Sequence, residues 1–248
     1  MVRVLCIYDE GAVVDTPLIG AKGFSVMVES EGRRIMMDTG LRDRYLVHNM
    51  EYLDIDPSSL EAVVVSQRMA ENSRALDGLL NQRSDPIDVY APEGLYSGKR
   101  GILSRSVGLS DDNRGKAHLH DIGEWTEVWL SPQLESDDGY RESFLAIEGR
   151  RLAVVSGRGH SGPELPLGAV RERFGRDAHT FIGAVLLEKR KKPIAEAYAA
   201  DFEAYGCIDL HLNHCTGRDG MTNLRTHFGL EGVDEFYVGM ELELRGSK

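Results

Sequence analysis

The chain of 248 residues sets 29 Lys and Arg against 40 Asp and Glu, for a formal net charge of −11 and a pI near 5.2. That balance argues against nucleic acid or an anionic membrane as a partner. Hydrophobic content of 42% and charged content of 28% are those of a soluble globular protein, and the length suits a single domain spanning 1-248. Cys6, Cys207 and Cys215 are odd in number and form no C-x-x-C pair, which reads as reduced thiols and not as a disulfide framework or zinc finger. The apolar run at the start is too short for a signal peptide, and no stretch approaches the ~18 apolar residues of a membrane span. The expectation is a soluble, cytoplasmic protein.

In chain order, 2–8 reads as a strand, and 24–29 with 34–38 as a hairpin about Ser30-Glu31-Gly32-Arg33 that ends in Asp38-Thr39-Gly40. The spacing of Leu46, Met50 and Leu53 predicts a helix over 42–53. Val63-Val64-Val65 reads as a buried strand that ends in a polar turn and feeds one helix from about Ala70, with Ala75, Leu76, Leu79 and Leu80 at helical spacing. Such a unit puts side chains at the strand's C-terminal edge, where α/β folds place their sites. Next come a strand at 87–91, a long surface excursion without period at 97–120, and a strand at 125–130. A second hairpin, 144–148 with 152–156, leads into the glycine-rich turn Ser156-Gly157-Arg158-Gly159-His160-Ser161-Gly162. Then follow a helix at 165–174, a strand at 180–187, a helix at 194–205, a strand at 208–212 ending in Asn213-His214-Cys215-Thr216-Gly217, a helix at 221–228 and a last strand at 235–237. Hairpin, helix, strand and helix recur in both halves, which fits two sheets packed face to face with helices outside.

Five segments, in order, carry a resemblance. Ser66-Gln67-Arg68-Met69-Ala70-Glu71-Asn72 lies where the metallo-β-lactamase superfamily has Ser-His-x-His-x-Asp-His, after a strand and before a helix. Gly23-Phe24-Ser25 with Asp38-Thr39-Gly40 is similar to the family's first hairpin, and the turn ending Gly159-His160-Ser161-Gly162 to the loop with its next metal-binding His. Ile182-Gly183-Ala184-Val185-Leu186-Leu187 resembles a Gly-Gly-Phe-His-Leu segment with its His replaced by Leu186, and His214-Cys215-Thr216-Gly217 resembles a His-Cys-Thr-Gly whose His is the final ligand. The last two point to the branch similar to 7,8-dihydropterin-6-yl-methyl-4-(β-D-ribofuranosyl)aminobenzene 5′-phosphate synthase. The resemblance implies an α/β fold, an αββα four-layer sandwich of two mixed sheets with helices on both outer faces. It also implies an edge where intact relatives hold metal ions that activate water.

Laid on the family motif, this chain replaces its first-half ligands. Gln67 and Asn72 offer neutral amides, Met69 a thioether, and Glu71 a carboxylate one carbon longer than Asp. Of the expected ligands Glu71, His160 and His214 remain, as candidate catalytic residues or as the set for one zinc, iron or manganese ion. Each also has a plainer role: His160 bonding within its turn, His214 capping a strand end, Glu71 favouring the first turn of a helix. His211 and His214 should point to opposite faces of a strand. Cys215 reads as a packed thiol, with the neighbouring His214 side chain pointing elsewhere; Asp77 and Asp209 carry no readable signal. Arg68, Arg74 and Arg158 stand where the motif has small or uncharged residues, and with Asp38 they form the candidate ligand-binding set, although Arg side chains mostly face solvent. Two readings stand. One is a protein with a degenerate metal site and no cofactor, a pseudoenzyme that binds a small anionic metabolite or a protein partner, a homo-oligomer included. The other is a metal-dependent hydrolase or pterin-related transferase with a reduced, single-metal site.

Overall fold

The computed structural model describes residues 1–97, 107–120, 128–188 and 192–244. They fall into two compact units, 1–123 with 237–243 and 124–236 with 244–248. The first unit runs through β1 (Val2–Tyr8), β2 (Ser25–Ser30), β3 (Arg33–Met37), α1 (Asp43–Tyr52), β4 (Ala62–Val64), α2 (Ala70–Ser73), α3 (Leu76–Asn81), β5 (Ile87–Tyr90), α4 (Asp111–Arg114) and β6 (Ala117–His120). The second runs through β7 (Val128–Leu130), β8 (Leu134–Glu135), β9 (Arg141–Glu142), β10 (Phe144–Ile147), β11 (Leu152–Ser156), α5 (Glu164–Phe174), β12 (Ala178–Gly183), α6 (Lys192–Ala204), β13 (Asp209–Leu212), α7 (Gly217–Phe228) and β14 (Val233–Glu235). A last strand, β15 (Glu241–Leu244), joins the first sheet.

The first sheet has the order β15-β1-β2-β3-β4-β5-β6, antiparallel through β1, β2 and β3 and parallel from β3 to β6. The β2–β3 turn takes positive φ at both central residues, Glu31 at 50° and Gly32 at 83°. That hand matches the twist of the flanking strands. Leu5, Ile7, Met27, Met36, Val63 and Val89 from one sheet face pack with Leu46 and Met50 of α1 and Leu76, Leu79 and Leu80 of α3. The second sheet has the order β14-β13-β12-β11-β10-β7, with β11, β12, β13 and β14 parallel. Its Phe144, Val154, Phe181, Leu210 and Leu212 bury against Leu167 and Val170 of α5, Ala199 and Phe202 of α6, and Leu224 of α7. Both sheets carry helices, as the α/β expectation requires.

Several local expectations need correction. The helix after the central strand is two short ones, because the Ala75 N–H donates to Gly40 O (3.1 Å) and Ser73 O accepts from the Tyr96 hydroxyl (2.9 Å), which breaks the helical ladder. The excursion over 97–120 holds α4 and β6 among its described residues. Asp77 organises it by accepting from Ser110 N (2.7 Å), Ser110 Oγ (2.9 Å) and Asn113 Nδ2 (3.1 Å). Residues 98–106 of that excursion and 125–127 of the strand expected at 125–130 lie outside the described residues. The strand expected to run to 187 stops at Gly183, whose φ of 108° and approach to Ser156 O admit no side chain; a Cβ there would lie 1.8 Å from that oxygen. The last strand is β15, whose Glu-Leu-Glu-Leu alternation suits an edge. Among the described residues no helix is long and apolar enough to cross a membrane.

Candidate functional site

In the first unit the turns leaving β3 and β4 meet because those strands are parallel neighbours. Asp38 holds them together. It is fully buried and left-handed, at φ 60°, and its N–H donates to Val64 O (2.7 Å). Its carboxylate accepts from Ser66 N (2.8 Å), Ser66 Oγ (2.8 Å) and Asn72 Nδ2 (2.6 Å). Asn72 Oδ1 in turn accepts from Gln67 Nε2 (3.2 Å), and Asn72 O from Thr39 N (2.7 Å). Asp38, Ser66, Gln67 and Asn72 are at most 2% exposed. A buried carboxylate is tolerated only when donors surround it, and here neutral donors do so. Tyr96 packs nearby; burial first, and then the Asp38 charge, pushes its phenol well above the ordinary range.

The other candidates of this unit lie around that knot. Met69 is half-buried at the N-terminus of α2. Glu71 is half-buried, with Oε1 3.6 Å from Lys22 Nζ. Arg68 is exposed and its guanidinium lies near Gly94, where an added Cβ would meet Nη2 at 3.6 Å. Arg74 is half-buried at the end of α2. Asp38, expected among ligand-binding residues, anchors the turns from inside and has no solvent-facing surface.

In the second unit His160 follows β11, Leu186 follows β12 and His214 follows β13, so three parallel neighbours deliver their loops to one end of the sheet. Hydrogen bonds to main-chain carbonyls tie these loops together. Gly159 O accepts from Leu186 N (3.0 Å), Ser156 O from Ala184 N (3.1 Å), and Gly157 O from Asn213 Nδ2 (3.1 Å). Gly159 takes φ 71° with its Cα against Ala184 O, where a Cβ would come within 2.0 Å, so only glycine fits. Arg158 is half-buried beside it. His160 stacks on Tyr140 with ring centroids 4.1 Å apart and planes at 17°.

Sequence reasoning missed three features here. Tyr140 and the buried Glu142, which accepts from Ser161 N (2.7 Å) and Ser161 Oγ, sit on or beside the small β8–β9 hairpin, whose polar residues show no period. His214 and Cys215 do meet, Nε2 to Sγ 3.2 Å, contrary to the expectation that the His would point elsewhere. The reason is that residues 214–216 form a 3-10 turn, capped by Asn213 Oδ1 accepting from Cys215 N (2.9 Å), and not an extended strand end. Asp209 is also engaged: it accepts from Thr180 Oγ1 (2.9 Å) and pairs with His211 Nε2 (3.0 Å). Those bonds, His211 first, hold its carboxyl below the ordinary range against the opposing effect of burial. Among the described residues no three His, Cys, Asp or Glu side chains form a group that could hold a metal ion.

No family model matches the chain. Over 99 residues it is 21% identical to 7,8-dihydropterin-6-methyl-4-(β-D-ribofuranosyl)-aminobenzene-5′-phosphate synthase of Methanocaldococcus jannaschii, a match covering 38% of this chain and 34% of that protein. Its fold is similar to the crystal structure of a metal-dependent hydrolase of the β-lactamase superfamily, with TM-score 0.80, 21% identity, and 99% and 100% of the two chains covered. It is also similar to the metallo-β-lactamase fold protein YhfI from Bacillus subtilis, with TM-score 0.66, 12% identity, and 98% and 99% covered. The chain has the metallo-β-lactamase fold.

Proposed function

We propose that this metallo-β-lactamase-fold chain lacks a two-metal hydrolase site and binds a small ligand bearing phosphate or carboxylate. The observation that carries the reading is the closed hydrogen-bond ladder Gln67–Asn72–Asp38–Ser66. At the positions of the family's first-half ligands stand amides bonded to each other and to Asp38. Neutral amide side chains and a thioether make a poor donor set for zinc, iron or manganese. These residues do not fit the metal pair.

For ligand binding, Arg158 and the two histidines at the end of the second sheet are the natural donors. An Arg fork matches carboxylate and phosphate and keeps its charge when half-buried. The Gly157-Arg158-Gly159 turn is backbone suited to an anion contact. The partly matching relative is named for a 5′-phosphate product, which agrees with a phosphate-bearing ligand. Arg68 and Arg74 are the first unit's own candidate donors. The three cysteines are free thiols, in keeping with a reducing, cytoplasmic setting.

Calorimetry with inorganic phosphate and with malonate tests the reading. Arg158→Ala should weaken whichever ion binds by about tenfold, the scale of one charge-assisted pair. Unchanged affinity in both Arg158→Ala and Arg68→Ala, or no binding of either ion by wild type, ends it in favour of a protein partner.

A further inference from the structure

Beside His160 the second unit holds a cavity of about 320 Å³. Its lining is unlike an anion site. Glu135, Asp137, Asp138, Glu164 and Asp201 contribute five carboxylates, and among the described residues no Lys or Arg lines it. Arg141 pairs with Glu135 from outside the lining, Nη2 to Oε2 2.6 Å. The remaining wall is amphipathic. Tyr198 packs so closely on Gly162 that an added Cβ there would meet its ring at 3.0 Å, and Leu165 and Ile194 add apolar surface.

Two further observations give the same sign. Burial first, and then the like charge of Glu164, raises the Asp201 carboxyl above its ordinary range, so that carboxylate sits where a counter-charge would be welcome. Glu142 accepts from the N–H and hydroxyl of the lining residue Ser161 with one carboxylate oxygen. It is 3% exposed, and its Oε2 has no hydrogen-bond partner among the described residues. A buried carboxylate oxygen without a donor adds to the negative potential of the wall.

Building on the anion reading above, we infer that this cavity is a subsite for a protonated amine, so that the ligand is a zwitterion: phosphate or carboxylate toward Arg158, a primary ammonium on a short apolar chain toward Asp201 and Glu164. Carboxylates supply the charge, Tyr198 a ring face for the ammonium, and Leu165 and Ile194 the surface for the methylenes.

The test is calorimetry at pH 7 with ω-aminoalkyl phosphates of two to five carbons against alkyl phosphates of the same lengths. At one length or more the amine should bind about tenfold tighter, and Asp201→Asn or Glu164→Gln should remove most of that gain while leaving the alkyl phosphates unchanged. Asn is a mild change at 201, because the carboxylate is already disfavoured there. Equal affinities at every length overturn the amine subsite and leave the anion reading intact. If no phosphate binds, the anion reading fails, and butylamine alone decides the cavity: binding weakened by Asp201→Asn upholds it, and no binding overturns it.

Discussion

Asp38→Ala should destabilise the protein by about 3–5 kcal/mol, read as a lower urea midpoint at unchanged slope. Removing the carboxylate strands three buried donors, the Ser66 N–H, the Ser66 hydroxyl and the Asn72 amide. Each unsatisfied group costs about 1–3 kcal/mol, and relaxation recovers part of the sum. Asp38→Asn keeps the volume and one acceptor and should lose about half as much. The left-handed φ at 38 is tolerated by Asn and disfavoured for Ala, which adds to the difference. A loss below about 1 kcal/mol for Asp38→Ala would mean that Asp38 does not anchor the two turns.

Restoring the family's ligands should matter as a set. Gln67→His, Met69→His, Glu71→Asp and Asn72→His together should raise zinc affinity by about a thousandfold or more, whereas single reversions should change it by less than about tenfold, since one added ligand leaves the ion poorly held. The metal-free quadruple variant should also be less stable than wild type, because Asn72→His withdraws the 2.6 Å donor from Asp38, and zinc should recover part of that loss by binding the folded state. Competition titration with a zinc chelator gives the affinities, and thermal unfolding with and without zinc gives the linkage. Tight zinc binding by wild type, or none by the quadruple variant, contradicts the account.

Much of the fold was legible because it depends on period and on turn chemistry. The β-branched run at 63–65, the helical spacing of Leu46 and Met50, and the glycine turns at 32 and 159 each state a local rule that the structure follows. The failures lie where tertiary contacts override local pattern. Nothing in the sequence of 70–80 says that Tyr96 and Gly40 will draw hydrogen bonds out of the helix. The strand β6 is short and carries two histidines, so its pairing with β5 shows in no periodicity. At the candidate site the motif positions identified which side chains gather around Asp38 but not how they bond. The acidic wall beside His160 comes from β8, the turn after it, and the starts and faces of α5 and α6, segments far apart in sequence, so its charge could be seen only once they were brought together.

Metal content decides whether the first-half ligand positions serve a metal pair. Metal content by mass spectrometry, on protein purified without chelators and then dialysed against zinc, iron or manganese, tests it most directly. Well under about one metal ion per chain is expected after removal of excess, with a thermal midpoint unmoved by the metal or by EDTA. Two ions per chain, of the kind that two-metal sites hold at about 3.5–4 Å separation, would contradict it, and one stoichiometric ion lost in His160→Ala and His214→Ala would favour the single-metal enzyme instead.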